Sequence, residues 1–455
     1  MRFTRRLLDR RAAAAVAVVS LLPTALVSAS CAASDATPGF DPTDAAPETS
    51  RSDAAVGNDA GELDASRDVE AFDATARSVE CASAHCATSL STVQTTGAWD
   101  DYTEGFCALL QDGTVACWGT DRGGQLGRGD EAGALGSSST PQRVVGLSNV
   151  SALDHTCAVE KDGTAWCWGT GPFVRSDAAA VTTERTPVKL PIPPAKKVAT
   201  GRTAACAIVG EGVFCWGQND NGQIAPAKVA PFNAVLEPRE VPLPAGAPLR
   251  DLIVGRASFV LREDGTATSW GANPPLARVS SLFPDPYPLQ IGLSGVSSLD
   301  NVSENACATA GGTGYCWGNV ISLWNSTDRA IPEPVVAPEP LVQIATTDAW
   351  SSYDTATSTA VAHPQRWCAT AASGAVYCWG YNASGQAGDG TNDHAYHAVK
   401  VTGLPAPAVQ VKTLPDSTCA LLTNGSIFCW GSNGYGQLGN GTGQGSRVPQ
   451  EVVLP

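Results

Sequence analysis

The dipeptide Trp-Gly recurs along this chain of 455 residues at a nearly constant interval. It stands at positions 118, 168, 216, 270, 317, 379 and 430, so successive copies lie 50, 48, 54, 47, 62 and 51 residues apart. A repeat of this length predicts a propeller or a solenoid, and four short strand signals in each unit favour the propeller. We therefore expect an all-β fold, a seven-bladed β-propeller over residues 90–455.

The ends of the repeat region suggest how such a ring closes. The second unit contains the strand signals "PQRVVGL", "NVSALD", "TCAVEKDG" and "TAWCWG". The repeats begin partway through a unit, at "STVQTTGAW", and finish with the strand "VPQEVVLP". This offset predicts that the last strand completes a blade with the first residues, which would remove an open sheet edge.

Six units carry two cysteines around a turn that contains glycine. Ten-residue spacing leaves a three-residue loop such as Gln111-Asp112-Gly113, whereas nine-residue spacing leaves the two-residue loops Gly210-Glu211 and Gly311-Gly312. The turn changes length while the cysteines stay opposite, which predicts cross-strand disulfides at non-hydrogen-bonded positions within each blade. The predicted pairs are Cys107–Cys117, Cys157–Cys167, Cys206–Cys215, Cys307–Cys316, Cys368–Cys378 and Cys419–Cys429.

The fourth unit keeps the turn Glu263-Asp264-Gly265 but has Phe259 and Ser269 at the cysteine positions, so its hairpin is expected to form without the bond. A zinc site would require three or four ligands at closer spacing, and redox activity is an alternative only for an exposed pair. Cys81 and Cys86 can pair with each other. With 15 cysteines in the chain, this leaves Cys31 unpaired.

The N-terminus has the pattern of an export signal, with an apolar stretch over 12–27 and the small residues "VSASC" after it. Residues 1–30 are therefore predicted to be a signal peptide, and Cys31 to be the lipid acceptor of a bacterial lipoprotein. Ordinary cleavage after Ala29 is the alternative, and the unpaired cysteine favours lipidation. The positive residues that precede the apolar stretch are Arg2, Arg5, Arg6, Arg10 and Arg11.

Residues 31–89 are predicted to form a disordered acidic tether. The stretch 32–80 holds twelve Asp or Glu residues against three Arg, and its composition cannot bury enough apolar surface to fold. The net charge of the whole chain is −15, which argues against a nucleic-acid partner. The cysteine content indicates an oxidising compartment.

The stretch "TCALLTNGSIFCWGSNGYGQLGNGT" at 418–442 resembles the repeat of the regulator of chromosome condensation family. Its Gly-Gln-Leu-Gly element stands at 124–127 and 436–439, with variants at 222–224 and 385–388. The resemblance implies a seven-bladed propeller. It also implies two kinds of activity, because the founding member is an exchange factor for the GTPase Ran that also binds chromatin, and exported bacterial members bind other proteins, among them a β-lactamase inhibitor.

Residues that could carry catalysis are few. No HExxH, Walker or GxSxG motif occurs among the residues, and His155 has no counterpart in the other units, so we expect it to pack a loop. His394 and His397, with Asp389 and Asp393 nearby, are the one arrangement that could bind a metal, although a polar loop is the favoured interpretation. We therefore predict no catalytic residues, no metal and no cofactor.

The loops that precede the first cysteine position differ greatly in length. From the valine or leucine of each unit's second strand signal to that position, the gaps are 14, 7, 8, 7, 11, 26 and 8 residues, and all seven loops should emerge on one face. Aromatic side chains on exposed loops are typical binding anchors, so the first and sixth loops are predicted to form one contact surface. Packing of Trp350 and Trp367 onto the blade is the alternative. The predicted binding residues are Trp99, Asp100, Asp101, Tyr102, Trp350, Tyr353 and Trp367.

Together these features predict a non-catalytic scaffold, exported to the bacterial cell envelope or secreted, that binds an unknown protein or envelope ligand through one propeller face. It is expected to be a monomer that contacts a membrane only through its lipid anchor. By analogy with the family, a GTPase regulator with exchange-factor-like activity is the alternative. A carbohydrate-active propeller enzyme, which would need a cleft with paired carboxylates, is less favoured.

Overall fold

A computed structural model of the chain describes residues 72, 77–82, 85–93, 104–129, 136–173, 181–321, 326–354 and 359–455. Seven four-stranded antiparallel sheets and one two-stranded hairpin account for the strands in these ranges. This confirms the predicted all-β, seven-bladed propeller. No helix in the described ranges has the length and hydropathy to cross a membrane. The predicted signal peptide 1–30, Cys31 and most of the tether 31–89 lie outside the described residues.

The first four blades each contain four consecutive strands. Blade 1 comprises β1 (Ala87–Thr92), β2 (Gly105–Leu110), β3 (Val115–Gly119) and β4 (Ser138–Arg143). Blade 2 comprises β5 (Val150–Asp154), β6 (Cys157–Glu160), β7 (Ala165–Gly171) and β8 (Thr182–Lys189). Blade 3 comprises β9 (Lys197–Thr200), β10 (Ala204–Val209), β11 (Gly212–Gln218) and β12 (Val235–Val241). Blade 4 comprises β13 (Leu249–Val254), β14 (Ala257–Arg262), β15 (Ala267–Gly271) and β16 (Asp285–Gln290).

The last three blades follow the same order, and blade 6 carries an insertion. Blade 5 comprises β17 (Val296–Val302), β18 (Asn305–Ala310), β19 (Thr313–Ile321) and β20 (Ser326–Pro334). Blade 6 comprises β21 (Leu341–Thr346), β24 (Arg366–Ala371), β25 (Val376–Gly380) and β26 (Ala395–Lys400), with the hairpin β22 (Trp350–Asp354) and β23 (Thr359–His363) between its first two strands. Blade 7 comprises β27 (Ala408–Thr413), β28 (Ser417–Leu422), β29 (Ile427–Gly431) and β30 (Ser446–Glu451).

The ring closes without the predicted exchange of a strand. The last strand, β30, pairs with β29 of its own blade, and β1 is the first strand of blade 1. Packing joins blades 7 and 1 instead, through one buried cluster that contains Leu90 and Trp118 together with Leu421 and Val452. The expectation of a shared blade was wrong because the strand assigned to the start of each unit pairs with the preceding Trp-Gly strand.

The recurring Trp-Gly is a β-bulge. In every blade the register between the third and fourth strands shifts at the tryptophan, as between Cys117 and Gly119. The glycine that follows has a positive φ, 99° at Gly119, and a side chain there would collide with the carbonyl of Glu104. The bulge therefore requires glycine, which explains why the dipeptide is retained in all seven units.

The predicted disulfides are confirmed. The six blade pairs join directly opposed residues of the second and third strands, with Cα atoms 4.0–4.1 Å apart. This short separation is typical of non-hydrogen-bonded pairs. In blade 4, Phe259 lies opposite Ser269, so the hairpin forms without a bond as expected. The turn glycines adopt the left-handed conformation the spacing predicted, with φ 78° at Gly113 and 60° at Gly210.

Strand direction divides the propeller into two faces. The loop face carries the connections between third and fourth strands and those between first and second strands, the latter being 93–104, 155–156, 201–203, 255–256, 303–304, 347–365 and 414–416. The turn face carries the short turns between second and third strands and the connections from one blade to the next. Five of the first-to-second-strand connections have two or three residues, whereas those of blades 1 and 6 are far longer.

Residues 77–82, 85 and 86 lie across the turn face, and we call them the N-terminal strap. Arg77 Nε donates to the carbonyl of Ala372 in blade 6 at 3.3 Å, and the amide of Glu80 donates to the carbonyl of Thr423 in blade 7 at 2.7 Å. Cys81 and Cys86 form the predicted disulfide within the strap. Strand β1 then begins at residue 87, three residues before the predicted start of the propeller at 90.

Candidate functional site

The repeated tryptophans join neighbouring blades. Six are almost fully buried, and each donates its indole N–H to a backbone carbonyl of the preceding blade at 2.7–2.9 Å. Trp379 differs, because it is half-buried and stacks on Trp367 of its own blade with ring centroids 6.3 Å apart. The donor and acceptor pairs are Trp118–Gln437, Trp168–Gln125, Trp216–Pro172, Trp270–Gln223, Trp317–Pro275 and Trp430–Gln386.

The glutamine of the Gly-Gln element also joins neighbouring blades. In blade 7, Gln437 Oε1 accepts the amide of Tyr435 at 2.8 Å, and its Nε2 donates to Glu104 of blade 1 at 3.2 Å. Gln386 likewise reaches the carbonyl of Pro415 in blade 7 at 3.1 Å. The residues that define the repeat are therefore used at the blade junctions, and any binding specificity must come from residues outside the repeat pattern.

A cavity of about 530 Å³ opens on the loop face at the propeller axis. Its wall includes a ring of seven residues, one from each blade. Six lie in first strands at positions that the strand register makes equivalent, and His155 directly follows β5. Cavities of this size hold small ligands or an inserted loop in many proteins. The ring consists of Thr92, His155, Thr200, Val254, Asn301, Thr346 and Thr413.

Several polar groups in this wall lack hydrogen-bond partners in the described part of the chain. The side-chain oxygen and nitrogen of Asn301 and the hydroxyls of Thr200 and Thr346 are buried without a hydrogen-bond partner in these ranges. His155 and Ser303 adopt positive φ angles of 48° and 51°, which non-glycine residues rarely do. Unpartnered polar groups and backbone strain concentrate at binding sites, so we regard the cavity as the candidate functional site.

Charged residues surround this cavity. Arg202, Arg256 and Asp348 belong to its lining, and burial raises the pKa of Asp348 to about 7 although a Ser303 hydrogen bond and the Arg256 guanidinium act against it. Its carboxyl therefore changes charge near neutral pH. Asp154 is the last residue of β5, directly before His155. Burial would raise the pKa of Asp154, yet the neighbouring His155 holds that pKa well below its usual range.

A second cluster on the loop face joins blades 6, 7 and 1. Glu104 Oε1 accepts the amide of Asp416 at 2.6 Å, and its Oε2 accepts the Ser417 hydroxyl at 2.8 Å. The fully buried Arg366 donates to the carbonyl of Ser417 at 2.9 Å and to that of Leu414 at 3.0 Å. Burial, followed by the charge of Asp416, raises the pKa of Glu104 to about 7.

Sequence reasoning missed this cluster, although aligning the units would have revealed a signal. The third residue before each cysteine position is charged in five of the seven units, and Glu104 and Asp416 occupy that position in blades 1 and 7. The residues at this position are Glu104, Asp154, Thr203, Arg256, Glu304, Gln365 and Asp416.

The predicted binding residues fall into three groups. Trp99, Asp100, Asp101 and Tyr102 lie outside the described residues. Trp350 and Tyr353 belong to β22, where their backbones pair with His363 and Ala360. The sixth loop therefore forms a hairpin, which the sequence did not indicate. Trp367, in β24, is partly buried against the apolar cluster between blades 5 and 6.

The predicted loop around His394 uses its polar groups locally. Asp389 accepts the amide and the hydroxyl of Thr391 at 3.0 Å, and the His394 ring packs on Tyr396 with centroids 4.5 Å apart. Within the described ranges, no three His, Cys, Asp or Glu side chains are grouped so that they could hold a metal ion.

Three segments of the chain match known sequence families. Residues 112–160, 195–223 and 416–437 match family models described as the regulator of chromosome condensation (RCC1) repeat. The chain thus carries RCC1-type repeats within a seven-bladed propeller.

Curated relatives are similar over part of their length. Residues of this chain are 27% identical over 266 positions to the ultraviolet-B receptor UVR8 of Arabidopsis thaliana, covering 56% of each protein. They are 35% identical over 82 positions to the E3 ubiquitin-protein ligase HERC2 of Homo sapiens, which is 18% of this chain and 2% of HERC2. The chain therefore spans little more than half of the former and a small part of the latter.

Solved structures share the fold. Human WBSCR16 superposes with a TM-score of 0.60 at 19% identity, over 75% of this chain and 95% of that chain. Yeast RCC1 (Prp20), in its structure bound to Kap60, superposes with a TM-score of 0.58 at 17% identity, over 83% of this chain and 89% of that chain.

Proposed function

We propose that this RCC1-type propeller is a non-catalytic protein-binding scaffold, exported to the bacterial cell envelope, whose partner binds the loop face around the axial cavity. One observation carries the proposal. Residues common to the units are used at blade junctions, whereas differences between units concentrate in the loop-face connections, with the longest in blades 1 and 6. A rigid scaffold with variable loops on one face is typical of binding proteins.

The N-terminal strap supports this choice of face. It contacts blades 6 and 7 on the turn face, and Val79 packs against the apolar cluster between blades 7 and 1. Because the strap occupies part of the turn face, we expect a partner to bind the loop face.

Seven disulfides support export, because bonds of this kind persist in oxidising compartments. Fractionation of cells that carry the full chain tests this part of the proposal. We expect the protein in the envelope fraction with its disulfides formed, and replacement of Cys31 with Ser should release it into the soluble exported fraction. Recovery of the wild-type chain in the cytoplasm would contradict export and would revive the GTPase alternative.

Relatives support a protein as the partner. Prp20 of yeast was crystallised bound to Kap60, and the structure of Prp20p from Saccharomyces cerevisiae is described together with binding to Gsp1p and histones. At 17–18% identity these structures establish the fold alone, so the identity of the partner has to come from experiment.

Binding is tested with a variant that shortens the sixth loop. Residues 349–364 are replaced by a two-residue turn, and the immobilised variant and wild type are compared for capture of envelope proteins by mass spectrometry. We expect the variant to keep its melting temperature and to lose the envelope protein that the wild type captures specifically. Tyr396→Ala is the matched control, because this exposed tyrosine lies on the outermost strand of the same blade, outside the sixth loop. Equal capture by the shortened variant and the wild type would exclude the sixth loop as the binding element.

A further inference from the structure

The junction of blades 6, 7 and 1 contains two carboxyl groups and one guanidinium. Glu104 is almost fully buried, and its two oxygens are bound by the backbone and side chain of blade 7 and by Gln437. Asp416 lies next to it, where the Gln386 amide donates to its Oδ1 at 3.4 Å. Arg366 is the one cation that acts on both carboxyls in the described structure.

Charge balance limits how many protons this cluster can release. One guanidinium compensates one carboxylate. Because Glu104 is almost fully buried and Asp416 is half-buried, a second negative charge would be poorly solvated and without a counter-ion, which disfavours it. Two neighbouring carboxyls in such a site keep one proton between them. Burial, followed by the neighbouring Asp416, raises the pKa of Glu104, and burial also raises that of Asp416 although Arg366 opposes it.

The position of the cluster gives this proton a structural consequence. Glu104 is the last residue of the long blade 1 connection, and Arg366 follows directly after the long blade 6 connection. Each bonds to the short blade 7 connection 414–416 or to Ser417 beside it, so the two long loops are rooted in one hydrogen-bonded unit. A change in the charge of the unit therefore acts on the points where the two connections join β2 and β24.

We propose that Glu104 and Asp416 share one proton that locks the roots of the blade 1 and blade 6 loops onto blade 7, and that its loss loosens this part of the loop face. The lock is a property of the fold and does not depend on the identity of a partner. Tyr381 is a further titratable group near Asp416; burial, followed by the charge of Asp416, raises its pKa, so it stays neutral in the range concerned.

Hydrogen–deuterium exchange of the full chain tests the lock without any partner. The amide of Asp416 is bonded to Glu104, so a peptide that covers 414–422 reports the junction directly. After correction for intrinsic exchange, we expect the opening constant to rise by up to about tenfold for each pH unit between pH 5 and 7 and to level off above pH 7. Equal protection at pH 5 and pH 8 would overturn the proposal.

Variants at the pair separate a shared proton from a general loss of packing. Glu104→Gln keeps the shape without the charge, and Asp416→Asn leaves one carboxyl opposite Arg366, so either change should make protection independent of pH between 5 and 7. Two variants are used in case one fails to fold. Glu304→Gln is the matched control, since Glu304 occupies the equivalent position of blade 5 and pairs with Arg256 in a half-exposed setting. The proposal would be refuted if Glu104→Gln or Asp416→Asn kept the wild-type pH dependence of protection, or if Glu304→Gln lost it.

Discussion

The two faces of the propeller join neighbouring blades through different kinds of interaction. On the turn face, a backbone bond recurs from blade to blade, as when the amide of Val150 donates to Gly113, and Ala87 closes the ring by donating to Gly425 in the same way. On the loop face, the junctions around blade 7 depend on buried side chains such as Glu104 and Arg366. Backbone bonds tolerate changes of sequence, whereas buried charges do not. The loop face should therefore be the more sensitive to mutation and to pH.

Replacing an arginine on each face gives the largest expected contrast. Arg366→Met removes a fully buried cation that donates to Leu414, Ser417 and Gln386, and it leaves a carboxyl uncompensated, so we expect a loss of about 3–5 kcal/mol in the free energy of unfolding. Arg143→Met removes the ion pair with Asp112 beside the turn face, where both side chains are exposed, and should cost at most about 1 kcal/mol. Urea titrations under non-reducing conditions measure both. Equal losses would show that the faces do not differ in this respect.

The disulfides give the next largest effect and should act on stability alone. The double replacement Cys107→Ala and Cys117→Ala opens a short covalent loop in the hairpin of blade 1, which we expect to cost about 2–3 kcal/mol. Blade 4 shows that the hairpin itself survives, because Phe259 and Ser269 keep the same register. Circular dichroism should thus be unchanged while the denaturation midpoint falls. Loss of the β-sheet signal in the native state would contradict this view.

Release of the N-terminal strap tests whether the turn face is only a support. Cys81→Ser with Cys86→Ser removes the bond within the strap, for an expected loss of about 2 kcal/mol or less. Limited proteolysis should then cut within 77–86 sooner than in the wild type, while exchange of the 414–422 peptide on the other face stays the same. Faster exchange there would mean that the two faces are coupled.

Sequence reasoning succeeded where the pattern repeats and failed where contacts are distant. The number of blades, the turns and the cysteine register follow from local spacing, because a hairpin places its own residues opposite each other. The wrong expectation about closure arose since a strand such as Ser138–Arg143 could pair with either neighbouring unit, and packing decides between them. Glu104 and Asp416 are 312 residues apart and meet only once the ring is closed, so no local pattern could pair them.

The axial cavity was also beyond local reasoning, and it supplies the smallest predicted effect. Burial raises the pKa of Asp348 from 3.8 to about 7, so the folded protein keeps a proton that the unfolded chain has already released above pH 4. Its contribution to stability is therefore greatest below pH 4, declines between pH 4 and pH 7, and is constant above.

The side chain of Asp348 is only partly shielded from solvent, so we expect this decline to amount to about 1 kcal/mol. Asp348→Asn should remove it, which denaturation curves at pH 5 and pH 8 for variant and wild type will measure. The comparison belongs in the Glu104→Gln background, because Glu104 titrates in the same window on the same face. If the remaining pH dependence is the same with Asp348 and with Asn, the cavity carboxyl does not titrate there, and the pH sensitivity of the loop face resides in the junction of blades 6, 7 and 1 alone.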